Sequence, residues 1–151
     1  MKHGCQITTE RLIIRNWTLN REDRQFFHFI VSNEAGRRFY PSRLNKDEAN
    51  ELLQDMVSKV EQTGYGWSVA CLKNPAGDGA GTPVGFIGLS LFQSETDFAP
   101  CVEIGWQFDP KFWGKGYATE GAKSLISHGF KELDLKEIYA FAVPANTAPS
   151  P

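Results

Sequence analysis

The chain has 151 residues, of which 41% are hydrophobic and 23% charged, with a formal net charge of −2. That length suits a single domain with a real core, because a domain of this size hides roughly two-thirds of the surface its unfolded chain exposes. The near-neutral balance, with no run of Lys or Arg, excludes nucleic-acid binding through a broad basic face and leaves only a local cationic spot as an anion site.

Cys5, Cys71 and Cys101 are odd in number and far apart. They read as reduced, small apolar side chains rather than a disulfide framework. Together with His3, His28 and His128 they show no zinc-ligand spacing, so no metal is expected. No signal-like segment opens the chain and no apolar run reaches about 18 residues, so the expectation is a cytoplasmic protein with no membrane partner.

In chain order, Arg11 to Trp17 (RLIIRNW) has β-branched residues and no breaker, and predicts a strand. Arg21 to Asn33 predicts a helix, with acidic residues in its first turn and Phe26, Phe27, Ile30 and Val31 at helical spacing. Asn45 to Gln62 predicts the clearest helix. Asn45 and Glu48 form a capping-box-like start, and Ala49, Leu52, Leu53, Met56, Val57 and Val60 make one apolar stripe. Gly66 to Leu72 is then a strand, Lys73 to Pro83 a flexible loop, and Val84 to Phe92 the second arm of a long hairpin.

Cys101 to Phe108 (CVEIGWQF) predicts a strand in which Val102, Ile104, Trp106 and Phe108 share one face. Gly105 inside it suggests a bulge or a close backbone approach. A helix follows from about Tyr117 to Leu133, with Ala118, Ala122, Leu125, Ile126, Gly129, Phe130 and Leu133 as its buried stripe, and Glu137 to Val143 is a last strand. The order β-α-α-β-β-β-α-β implies a layered α/β (α+β) domain. Its strand–glycine turn–helix–strand unit should be a right-handed parallel crossover.

The segment Pro110 to Ala122 (PKFWGKGYATEGA) carries the chemistry. Gly114 and Gly116 stand at the mouth of a helix that has no Ser, Asp or Asn cap. A helix start leaves several N–H groups unpaired and carries partial positive charge. Glycines allow positive φ and a close ligand approach, and Lys111 and Lys115 add charge. These features describe an anion cradle sized for phosphate or pyrophosphate, with a simple tight turn as the other reading. Glu120 opposes the cradle unless its carboxylate points away. Thr119 stands where a dinucleotide fingerprint needs its third glycine, and no P-loop Gly-Lys-Ser/Thr is present.

On these residues the sequence resembles the GCN5-related N-acetyltransferases (GNAT), and within them the RimJ/RimL-like branch of ribosomal-protein N-acetyltransferases. The resemblance runs over nearly the whole chain: TERLIIRNWTLNREDR, VGFIGL and, most specifically, VEIGWQFDPKFWGKGYATEGAKSLISHGF. It implies a mixed, mostly antiparallel sheet with helices on both faces. The family loop Gln/Arg-x-x-Gly-x-Gly/Ala corresponds to Lys111-Phe112-Trp113-Gly114-Lys115-Gly116, with Lys in place of Gln/Arg. The resemblance further implies that N–H groups from about Trp113 through Tyr117 and Ala118 to Thr119 hold the pyrophosphate of acetyl-CoA. The two last strands would splay, with the pantetheine arm along the edge of Trp106, Gln107 and Phe108. Asn146 matches a branch Asn with a cofactor-binding role. The Ser three residues on is replaced by Pro149, which leaves Ser150 as the candidate general acid.

The thioester carries its own activation, so the protein must position an amine and deliver it unprotonated. A lysine amine costs about 4.6 kcal/mol to deprotonate at pH 7, whereas a chain α-amine costs only about 1 kcal/mol. Glu103 is the candidate general base; the alternative is a carboxylate paired with an Arg or lying at the sheet edge. The implied activity is transfer of an acetyl group to a primary amine, a protein N-terminus or a small amine. Relatives continue for one more helix and a strand pair past the last strand. This sequence therefore reads as shortened at its C-terminus, or as completed by a second copy in a homodimer through the exposed strand edge. A CoA-binding module without turnover is the competing function.

Overall fold

The computed structural model describes residues 6–32, 45–64, 66–74, 80–92, 101–132, 135 and 138–140. Its elements are β1 (Gln6–Thr8), β2 (Leu12–Asn16), α1 (Arg21–Ser32), α2 (Lys46–Thr63), β3 (Gly66–Lys73), β4 (Ala80–Phe92), β5 (Cys101–Phe108), α3 (Tyr117–Lys131) and β6 (Tyr139–Ala140). The six strands form one sheet in the order β1-β2-β3-β4-β5-β6. Every pairing is antiparallel except β5 with β6, which is parallel across α3. The α/β class and the mostly antiparallel sheet follow the expectation. β1 is an addition, since three half-buried or exposed residues at a sheet edge are too few to show an alternation.

Helices cover both faces. On one, α3 packs Ala118, Ala122 and Leu125 against Leu12, Ile14, Ile87, Leu89, Val102, Ile104 and Phe108. On the other, α1 and α2 pack Phe27, Ile30, Val31, Leu53 and Met56 against Trp17, Val69, Cys71 and Phe86. In α2 the capping box is complete: the Asn45 side chain accepts from the Glu48 amide, and Glu48 accepts from the Asn45 amide. The buried stripe of α3 is corrected in part, because Phe130 is exposed and Gly121 takes an inward position instead. Leu133 lies outside the described residues.

The bulge expected at Gly105 is not there. The β4–β5 register runs unbroken from Gly85↔Phe108 to Phe92↔Cys101. Two irregularities lie one ladder away, one between Cys71 and Lys73 and one where the partners of Ala70 and Cys71 jump from Gly85 to Pro83. Val84 is the extra residue, fully buried in the α3-side core. This bulge is how a proline is tolerated inside a long central strand, which also starts at Ala80, earlier than the expected loop allowed. Gly105 is required for another reason. A Cβ there would lie 2.6 Å from the Trp67 ring, which reaches across β4 at the level of the paired Gly88.

One buried ion pair ties α1 to the sheet. Arg15 donates from both terminal nitrogens to Asp23, at 2.9 and 2.8 Å, and the Thr18 amide and hydroxyl donate to the same carboxylate. Burial pushes the Asp23 carboxyl up, but the Arg15 and Thr18 hydrogen bonds more than offset it and hold it below its usual value. Removing the Asp23 charge leaves the partly buried Arg15 guanidinium without its anion. Asp23→Asn is therefore expected to cost about 3 kcal/mol in urea unfolding. Because the folded-state value is depressed, the stabilisation is present above the ordinary carboxylate range and is lost as pH falls through the lower value. The urea midpoint of the variant should accordingly fall less on acidification than that of the wild type.

Candidate active site

β5 ends at Phe108 and the chain turns through Asp109 into a single 3₁₀ turn, Pro110–Phe112. Asp109 caps that turn, accepting from the Lys111 amide at 3.2 Å. Gly114 and Gly116 both take left-handed φ, 77° and 82°, and Gly116 leads into α3 with no side-chain cap. A Cβ built on Gly114 would meet nothing within 4 Å, and one on Gly116 would meet only the Arg11 guanidinium, at 3.3 Å. The first helical bond runs from the Glu120 amide to the Gly116 carbonyl, 3.0 Å. The amides of Tyr117, Ala118 and Thr119 precede it and have no partner in the helix. Open space, a helix start and two left-handed glycines thus coincide, which is the donor set a phosphate needs.

Glu120 does not oppose this site. Its carboxylate is turned back to the start of β2, where the Arg11 guanidinium and amide donate to it at 2.7 Å each and the Thr9 hydroxyl donates as well. Burial pushes the Glu120 carboxyl up, but these donors hold it below its ordinary value. Arg11 also donates to the Lys115 carbonyl at 2.8 Å and lies 4.4 Å from the centre of the Tyr117 ring. No local signal marked Arg11 or Thr9, because both reach the site from the far end of the chain.

The expected residues are not all presented alike. The Trp113 amide donates to the Pro110 carbonyl, so the expected run of donors narrows to the start of α3. The Trp113 ring N–H donates to the Phe108 carbonyl at 2.8 Å, bracing the loop on β5. Lys111 and Lys115 are exposed on either side of the loop, the Lys111 ammonium 5.3 Å from the Phe112 ring centre. The Asp109 amide donates to the Val84 carbonyl, 2.9 Å. By the alternation of an antiparallel ladder, Gln107 turns its backbone toward β4, while Trp106 and Phe108 turn theirs toward the β6 side. Gln107 is thus corrected as an edge residue. Its side chain is buried and donates to the Ile30 carbonyl of α1, 2.8 Å. Asn146 and Ser150 lie outside the described residues.

Glu103 stands on the face covered by α1 and α2, opposite Val102 and Ile104, with Tyr139 as its parallel neighbour on β6. It is half-buried, and among the described residues no cation pairs with it. Burial alone pushes its carboxyl up. Among the described residues, no group of three or more His, Cys, Asp or Glu side chains could hold a metal ion, and no helix is long and apolar enough to cross a membrane.

The chain belongs to the GNAT acetyltransferase domain family, whose family model matches residues 11–149. It is similar to the uncharacterized N-acetyltransferase YnaD of Bacillus subtilis, 48% identical over 44 residues, which are 29% of this chain and 26% of that protein. The fold matches a GNAT-family acetyltransferase structure from Bacillus anthracis with a TM-score of 0.73 and 26% identity, over 95% of this chain and 76% of that one. It also matches RimL, a ribosomal L7/L12 alpha-N-protein acetyltransferase in complex with coenzyme A, with a TM-score of 0.67 over 90% of this chain and 73% of that one. At 16% identity this second likeness speaks for the fold alone.

Because the folded-state pKa of Glu103 lies above its unfolded value, folding takes up a proton between the two, and stability falls as pH rises through that window. Glu103→Gln should therefore melt at a higher temperature than the wild type at pH 7. The difference should shrink toward zero below about pH 4, where both side chains are neutral. A variant that melts lower at pH 7 would contradict the assignment of Glu103 as an unpaired carboxylate.

Proposed function

We propose that the chain is a single acetyl-CoA-dependent N-acetyltransferase domain of the RimJ/RimL-like type, which transfers an acetyl group to a primary amine. The observation that carries this reading is the uncapped start of α3, entered through Gly114 and Gly116 in left-handed conformations, Gly114 facing open space and Gly116 the Arg11 guanidinium. Acetyl-CoA would supply the activated acyl group. The amides of Tyr117, Ala118 and Thr119 would hold its pyrophosphate, with Lys111 and Lys115 adding charge from the loop flanks. Several charge-assisted N–H bonds at roughly 1.5–3 kcal/mol each suffice to anchor a cofactor. The backbone edge of Trp106 and Phe108 would run beside the pantetheine arm.

Glu103 would accept the proton of the incoming ammonium, directly or through a water. A carboxyl raised by burial is a stronger base than one in water, so its displacement favours this role. A protein α-amine asks least of such a base, because it is only weakly protonated at neutral pH. A protein N-terminus is therefore the acceptor we favour over a lysine-like small amine. The activity of RimL, as named, is of this kind. The resemblance adds Asn146 as a further cofactor contact and Ser150 as the donor to the departing thiolate.

Isothermal titration with acetyl-CoA, followed by thiol release over a panel of N-terminal peptides and small amines, tests the proposal. The expected result is binding in the micromolar range with turnover on at least one amine. Glu103→Gln should keep its CoA affinity while kcat drops roughly a hundredfold or more. Gly116→Trp should lose CoA binding, since its side chain would fill the space above the helix start. Binding without turnover on any amine would assign a CoA-binding module instead, and unchanged affinity in Gly116→Trp would refute the cofactor site.

A further inference from the structure

The turn of Glu120 away from the loop has a cause in the sequence that no loop motif contains. A carboxylate in the first turn of α3 would ordinarily face any anion held by that turn. Here it is drawn to the start of β2 by three donors, the Arg11 amide, the Arg11 side-chain Nε and the Thr9 hydroxyl. The same guanidinium reaches forward with Nη1 to the Lys115 carbonyl at 2.8 Å, and its Nη2 lies 3.3 Å from where a Gly116 Cβ would be. One planar group therefore contacts the carboxylate that must be neutralised and the loop peptide that must be oriented. It also lies against the Tyr117 ring, 4.4 Å from its centre. A lysine ammonium could not span these partners, since it lacks a fixed fork of donors. The loop's own cation at the position where Gln or Arg is usual, Lys111, is engaged over the Phe112 ring instead.

We infer that Arg11 is a positioning residue of the anion site: it neutralises Glu120, turns it from the loop and fixes the Lys115 carbonyl, so that the first-turn amides of α3 face the pyrophosphate unopposed. This rests on the cofactor reading above and goes beyond it by assigning control of that site to the turn that leads into β2. Arg11 is 41% exposed and Glu120 16% along their side chains, so the pair itself adds little to folding. Its consequence is expected in ligand affinity.

The test is a double-mutant cycle read by CoA titration on the full chain: wild type, Arg11→Met, Glu120→Gln and the double variant, each checked for folding by its thermal midpoint. Arg11→Met should bind CoA at least tenfold more weakly, because the Glu120 charge beside the anion is no longer neutralised and the Lys115 carbonyl is no longer held, although the residue 11 amide and the Thr9 hydroxyl still donate to the carboxylate. Glu120→Gln should bind as tightly as the wild type or more tightly. The double variant should regain at least threefold of the affinity lost in Arg11→Met. A merely structural brace predicts instead that Glu120→Gln weakens binding as Arg11→Met does, since either change removes the same contact. A double variant no tighter than Arg11→Met, or four proteins of equal affinity, would overturn the role of Arg11 while leaving the cofactor site standing. A wild type that does not bind CoA would overturn the cofactor reading itself, and this inference with it.

Discussion

A helix must begin somewhere, and its first amides must find acceptors. In this protein α3 begins on a left-handed glycine with no side-chain acceptor, although Asn45 supplies one at the start of α2 and Asp109 supplies one for the 3₁₀ turn just before it. A cap contributes about 1 kcal/mol. A fold that caps the neighbouring turns and omits this one gives up that stability here. The rest of the site is arranged about that omission. The loop is braced on β5 by Trp113, Gly114 faces open space, and the one acidic side chain in the first turn is turned away.

In the proposed reading, β5 is what joins this loop to Glu103. The row Val102, Ile104 and Phe108 packs under α3, while Glu103 and Gln107 face α1 and α2. β5 thus carries the loop at its end, a half-buried carboxylate near its start and, between them, a glycine over which Trp67 lies. The β6 side of Trp106 and Phe108 is where a parallel partner joins only through Glu103 and Ile104 among the described residues. A cofactor arm along that edge and an amine arriving from the α1–α2 face would meet at β5. This geometry is the basis for giving Glu103 the role of base.

Much of this was legible in the sequence because it is local. The Asn45–Glu48 capping box spans four residues, the apolar stripe of α2 follows one period, and the two loop glycines sit beside the helix they start. What was not legible depends on contacts between distant segments. Gly105 reads as a bulge in one strand, yet the cause is an indole two strands away. The real bulge at Val84 is hidden because Pro83 and Gly85 look like turn residues. Glu120 reads as a liability until Arg11, 109 residues earlier, is placed against it. Gln107 reads as an edge residue because alternation alone does not say which way a strand's peptides point.

The central claim is that the first-turn amides of α3 are the acceptor-seeking end of a cofactor site. It is tested most directly by following the backbone amides of the ¹⁵N-labelled chain by NMR as CoA is added. The account predicts that the largest shifts fall on Gly116, Tyr117, Ala118 and Thr119, with smaller ones along Trp106 and Phe108. Binding that leaves those four amides unmoved, or no binding at millimolar CoA, would contradict it.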